Sequence, residues 1–172
     1  MKKILLLGSQ HGNELLGEKL HKYLTTHAPD LLPYVTFRIG NPKARRAGVR
    51  YLESDMNRSY DPTLSTYEAS RAALIERYIK RQQFDLVLDL HTTVCVQPPC
   101  LLVADITDAN RSFLRATSID RVIVMKHDIV KTSLIGVLPG AIAIEVANDN
   151  INNALLAALS GDIRRYIANE EA

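Results

Sequence analysis

Ile4-Leu5-Leu6-Leu7-Gly8-Ser9-Gln10-His11-Gly12-Asn13-Glu14 is the stretch that decides the fold of this 172-residue chain. Ile4–Leu7 is an unbroken apolar run that stops at a glycine, the pattern of a short strand buried on both faces of a sheet. From Asn13 to His27, apolar side chains return at Leu16, Leu20, Tyr23 and Leu24, a helical spacing that closes just before Pro29. The polar cluster between them is therefore a strand-to-helix junction.

The same alternation continues outward. Tyr34–Ile39 is rich in β-formers and reads as a second strand. Residues 40–64 hold Gly40, Pro42, Gly48 and Pro62 with few apolar residues, and read as one long loop, a length that is usually functional inside a compact domain. Ser65-Thr66-Tyr67-Glu68 has capping-box spacing and predicts a helix to about Arg81. Phe84–Leu90, Leu101–Ala104, Val122–Met125 and Ala141–Ala147 read as further strands, and Asp108 as the cap of a short helix to about Ser118. Ile151, Leu155, Leu159, Ile163 and Ile167 share one face of a C-terminal helix. Strands alternating with helices predict a three-layer α/β/α domain with a mixed, mostly parallel sheet, occupying residues 1–172 as one unit.

Composition narrows the functional class. Hydrophobic residues make up 47% and charged residues 23%, ordinary for a soluble globular protein. A net charge of +2 gives no case for nucleic-acid or membrane binding. The two N-terminal lysines precede an apolar run too short for a secretory core, and no segment has the length of a membrane span, so a cytoplasmic protein is expected. Cys95 and Cys100 form neither a disulfide framework nor a good zinc pattern, and are read as small buried hydrophobes.

In such sheets ligands bind beyond the carboxyl ends of strands, which picks out His11, His91 and Glu145 together. His11 and Glu14, three residues apart, face the same side of a helical turn. Imidazole nitrogen and carboxylate oxygen are both good zinc ligands, and His91, following the apolar strand Leu86–Leu90, is the strongest third candidate. Two histidines and a glutamate with a fourth position open form a catalytic zinc arrangement. His21, His27 and His127 have no comparable setting.

An ordered set of motifs then stands out: His11-Gly12-Asn13-Glu14, Asn41-Pro42-Lys43-Ala44, Arg50-Tyr51, Asp55-Met56-Asn57-Arg58, Asp89-Leu90-His91-Thr92-Thr93 and Ile144-Glu145-Val146. Together they resemble the succinylglutamate desuccinylase/aspartoacylase family, which is similar in fold and site to the zinc carboxypeptidases. The resemblance implies one zinc ion on His11, Glu14 and His91, with Glu145 as general base. It also implies Arg50 as the cation facing the tetrahedral oxyanion, Asn57 and Arg58 as the grip on a substrate carboxylate, and Asp55 as the carboxylate orienting His11. The implied substrate is a small N-acyl amino acid or similar carboxylate-bearing amide.

Two departures accompany the resemblance. Aspartoacylase-type members carry a further arginine shortly before the catalytic glutamate, whereas Lys131-Thr132-Ser133-Leu134-Ile135-Gly136 has none. Lys131 would replace it only as a point charge. The chain also stops after its last expected helix, so the family's C-terminal β-rich domain is expected to be absent and the cleft more open. A small carboxypeptidase-like peptidase therefore stays open as an alternative, as do a zinc-binding module without catalysis and a homo-oligomeric state. A nucleotide-binding domain is disfavoured, because Gly8-Ser9-Gln10-His11-Gly12 lacks the full glycine fingerprint.

Overall fold

The computed structural model describes residues 1–172. Strand β1 is Ile4–Gly8, helix α1 Leu16–His27, β2 Val35–Ile39, α2 Pro42–Ala47, α3 Tyr67–Gln82 and β3 Leu86–Thr93. Then follow β4 Cys100–Val103, α4 Asp108–Ala116, β5 Val122–Val124, α5 His127–Val130, α6 Leu134–Val137, β6 Ile142–Ala147 and α7 Asn153–Ala168. The six strands lie in the order β2-β1-β3-β6-β4-β5. All neighbours are parallel except β4 and β6, so the sheet is mixed and mostly parallel, as expected.

Period-two alternation along the central strands builds two cores. Ile4, Leu6, Leu86, Leu88 and Leu90 face one way and pack on Leu16, Leu20 and Leu24 of α1, Phe113 of α4 and Ile163 of α7. Leu5, Leu7 and Val87 face the other way and meet Ile75 and Ile79 of α3, Leu134 of α6, and Met56 and Tyr60. A sheet covered on both faces by helices is the α/β/α sandwich that the continuous apolar runs predict. No helix is long and apolar enough to cross a membrane.

Several local expectations are corrected. The segment 40–64 is not one loop: Asn41 caps α2 by accepting from Ala44 N–H, Pro42 opens the helix, and Gly48 closes it at φ 68°. Met56–Arg58 forms a 3-10 turn whose cap is Asp55, and another 3-10 turn spans Pro29–Tyr34. α3 is capped by Thr66, and Glu68 turns away from the helix instead of completing a capping box. α4 starts after Thr107, whose N–H donates to Asn110 Oδ1, so Asp108 is not the cap. The short helices α5 and α6 fall where no helix was expected. Of the two thiols only Cys100 is buried; Cys95 is exposed.

β1 is the topological switch point. The chain leaves it for β2 on one side and returns as β3 on the other, so connections diverge above its carboxyl end. Ligand sites form in such crevices, and His11, Glu14 and His91 all lie there.

Candidate metal centre and active-site cleft

His11 and Glu14 sit in a tight turn between β1 and α1, not on the helix itself, which begins at Leu16. Glu14 N–H donates to His11 O at 3.0 Å, and that turn brings the two side chains together. Ser9, at φ 52°, swings the chain out of the strand, and its hydroxyl lies 2.9 Å from Glu14 O. Gly12 is required by close approach: a Cβ there would lie 2.2 Å from the Ala44 carbonyl carbon of α2. Its N–H donates to Arg50 O at 2.9 Å, tying the turn to the segment that carries Arg50.

His91 lies within β3 rather than beyond it. The strand runs on to Thr93 because it gains β6 as a partner, and His91 is in register with Glu145. Paired residues of parallel strands project from the same face, so His91 and Glu145 stand side by side over the crevice. Cys100 of β4 is in register with Glu145 on its other flank.

Glu14 is the hub. Its Oε1 lies 2.8 Å from His11 Nδ1 and 3.1 Å from Arg50 Nη1. Its Oε2 lies 2.9 Å from His91 Nδ1 and accepts from Thr92 N–H at 3.1 Å. Each imidazole meets a second carboxylate on its far nitrogen: His11 Nε2 is 2.9 Å from Asp55 Oδ1, and His91 Nε2 is 2.9 Å from Asp89 Oδ2. A neutral imidazole has one N–H, so it cannot donate to carboxylates on both sides. Each ring needs either a second proton or a cation beside Nδ1.

That arrangement fits a metal ion. One donor atom each from His11, Glu14 and His91 lie within 4.8 Å of one another, and all three residues are buried. With Nε2–H held by a carboxylate, the Nδ1 lone pair is directed at the shared point, the geometry in which outer carboxylates orient metal-binding histidines. Without an ion, a second proton on each ring would meet the same two carboxylates. Burial pulls His91 down, but Asp89 and Glu14 outweigh it and hold the ring well above its ordinary value. His11 is raised in the same way, with burial outweighed by Asp55 and Glu14. Burial pushes Glu14 up, yet its bonds to both histidines leave it far below the usual carboxylate range. Asp55 is likewise depressed, its burial offset by His11 and Arg50.

The trio forms the floor of a cleft of about 300 Å³. Arg50, Asp55, Asn57, Arg58 and Glu145 line it with Asn13, Thr92, Thr93, Val94 and Asn148, and Val94 is the one hydrophobic side chain. The structure thus brings every expected site residue to one cleft. Arg50 Nη2 is 3.1 Å from Asp55 Oδ2, with 48% of its side chain exposed. Asn57 lies 3.3 Å from His91 Nε2, and the exposed Arg58 donates to Asn57 O at 2.7 Å. Burial is the main cause of a raised Glu145 pKa, with Glu14 and Asp89 adding to it against the histidines. Lys131 is not in the cleft; it is exposed at the end of α5 and acts on Asp61.

Three further residues belong to the same network. Asp89 was legible in principle, because it sits two residues before His91 in a strand and so shares its face. Gln10 and Tyr60 had no local signal. Gln10 Nε2 donates to Asp89 Oδ2 at 2.5 Å, and the buried Tyr60 hydroxyl donates to Gln10 Oε1 at 2.6 Å.

Residues 1–140 match the succinylglutamate desuccinylase/aspartoacylase catalytic domain, so Glu145 lies beyond the matched segment. A probable aspartoacylase of Nostoc sp. is 35% identical over 104 residues, covering 53% of this chain and 35% of that protein. A human N-acyl-aromatic-L-amino acid amidohydrolase is 30% identical over 118 residues, covering 59% of this chain and 37% of that one. The matched region is thus little more than a third of these relatives' lengths. Murine aminoacylase 3 superposes with a TM-score of 0.74 at 22% identity, over 97% of this chain and 63% of that structure, which shows a shared fold.

Proposed function

The chain belongs to the succinylglutamate desuccinylase/aspartoacylase catalytic-domain family, and on that premise we propose that it is a zinc-dependent amidohydrolase acting on an N-acyl amino acid or a similar carboxylate-bearing amide. The observation that carries this reading is the convergence of donor atoms of His11, Glu14 and His91 within 4.8 Å, in a cleft that also holds the half-buried Glu145 carboxylate and two arginines. Two nitrogen donors and one carboxylate suit zinc with a coordination position left open.

Zinc held by these three side chains would act as a Lewis acid on the scissile carbonyl and bring the pKa of the attacking water toward ~7. Glu145 takes the proton from that water and delivers it to the leaving amine nitrogen. Its register beside His91 at the mouth of the cleft is the position from which one carboxylate can pass a proton between water and amine. Arg50 supplies a fixed cation for the charge that develops on the carbonyl oxygen, a role worth about 3–4 kcal/mol for a well-placed donor. Arg58 and Asn57 hold the substrate carboxylate, Arg58 through the bidentate geometry of its guanidinium. Asp55 and Asp89 keep a proton on each Nε2 and so keep each Nδ1 free for the ion.

The test is hydrolysis of a panel of N-acyl amino acids and short peptides by zinc-loaded protein, beside Glu145→Gln. The variant should keep its zinc and lose about 10²–10⁴-fold in turnover. Undiminished turnover would remove Glu145 from the mechanism, and cleavage confined to peptides would replace this reading with the peptidase one.

A further inference from the structure

Glu68 is fully buried at the start of α3, yet it serves neither the hydrophobic core nor the cap of its own helix. Its Oε1 accepts from Leu52 N–H at 2.8 Å and from Asn41 Nδ2 at 3.0 Å. Its Oε2 accepts from the N–H groups of Glu53 and Ser54, both at 3.2 Å. A carboxylate is kept inside a protein only when donors meet its oxygens, and here four do, three of them consecutive backbone amides of one loop.

The loop closes on α3 from its own side as well. Glu53 accepts from Tyr67 N–H at 2.7 Å, and the Ser54 hydroxyl lies 2.8 Å from that of Thr66. Apolar packing does not hold this stretch, since Tyr51 is 42% and Leu52 45% exposed. The stretch is nonetheless bracketed by Arg50, which touches Glu14, and Asp55, which touches His11. Asn41 links Glu68 to the cap of α2, the helix whose backbone presses on Gly12. Two of these routes, through residues 50–55 and through α2, reach the His11–Glu14 turn.

We propose that Glu68 is a positioning residue of the metal centre: its buried carboxylate gathers the amides of residues 52–54 and so fixes the loop that presents Arg50 to Glu14 and Asp55 to His11. The proposal rests on the zinc reading above and adds a residue outside the cleft to it. It acts through Asp55 and Arg50 and touches no substrate.

The experiment compares wild type, Glu68→Gln, Asp55→Asn and the double variant by zinc titration against a chromophoric chelator. It adds kcat and KM, and chymotrypsin cleavage after Tyr51 and Leu52 of the metal-free proteins. Glu68→Gln turns an amide N–H₂ toward groups that are themselves donors. It should weaken zinc about tenfold, as loss of an outer-shell partner does, lower kcat more than it raises KM, and speed cleavage at Tyr51. Because Glu68 acts in part through Asp55, the loss of zinc affinity in the double variant should fall short of the product of the two single losses. Wild-type zinc affinity and cleavage in Glu68→Gln, or losses that multiply in the double variant, would overturn the proposal. If Glu68→Gln does not fold, Glu68→Asp keeps the charge on an arm one methylene shorter. It should show the same changes at smaller size, and wild-type behaviour in it would overturn the proposal equally. A wild-type protein that takes up no zinc would sink the proposed function instead. The cleavage comparison would then still decide whether Glu68 holds the loop, faster cutting supporting it and unchanged cutting refuting it.

Discussion

At the scale of the residue, the site is organised around one carboxylate. Glu14 faces two imidazoles and a guanidinium, and each imidazole is backed by a further aspartate. With both imidazoles neutral, three carboxylates face one guanidinium, which is unfavourable for an empty site and favourable for a divalent ion. Asp55→Asn should therefore weaken zinc binding about 10–100-fold while leaving the sheet intact, measured by chelator competition and circular dichroism. Because neighbouring carboxylates raise both histidines, zinc binding below about pH 6.5 should release protons from them, read by calorimetry in buffers of different ionisation enthalpy. No proton release would mean that the histidines are not the ligands. The His11–Glu14–His91 cluster was legible in the sequence because His11 and Glu14 share one turn and His91 follows an apolar run. Gln10 and Tyr60 were not, because their partners are 79 and 50 residues away.

At the scale of the element, the decisive features are a strand that runs longer than its apolar stretch and a turn that is tighter than a helix. The hydrophobic pattern of β3 stops at Leu90, but hydrogen bonding to β6 carries it to Thr93. Cross-strand pairing is long-range, so no local pattern announces it. The opposite case is α2, whose Asn41, Pro42 and Gly48 form a cap, a first-turn proline and a left-handed terminus that local chemistry alone could have identified. Glu68 had the spacing of a capping box, but the backbone amides of residues 52–54 took its carboxylate instead. The contact between α2 and the His11–Glu14 turn gives a sharp prediction. Gly12→Ala places a methyl group against the Ala44 backbone, and that helix must shift. The expected cost is about 1–3 kcal/mol in chemical denaturation, with weakened zinc binding alongside. An unchanged denaturation midpoint would show that the turn and α2 are not in close contact.

At the scale of the whole molecule, the sheet and its two helical layers were legible because central strands apolar on both faces alternate along the chain with helical patterns. Strand order was not, yet it is what places the carboxyl end of β1 at the switch point and hence brings residues 11, 14, 91 and 145 together. The electrostatics of the assembled site then set how stability depends on pH. Raised histidines stabilise the metal-free fold fully below the ordinary histidine pKa of about 6.5 and cease to do so as pH rises through their raised values. Depressed Glu14 and Asp55 stabilise it above the ordinary carboxylate range and cease to do so as pH falls toward their lowered values. Metal-free protein should thus lose thermal stability as pH rises above about 6.5 and through the raised histidine values. Zinc-loaded protein should gain relative to it over the same range, since the ion needs deprotonated rings. Parallel thermal-melt profiles with and without zinc would contradict this.

The most direct measurement is the metal content of the purified protein set beside that of His91→Ala, by elemental analysis after equilibration with limiting zinc. Loss of one of three side-chain donors should reduce zinc from one ion per chain to a small fraction. Stoichiometric zinc in the variant would place the ion somewhere other than between His11, Glu14 and His91.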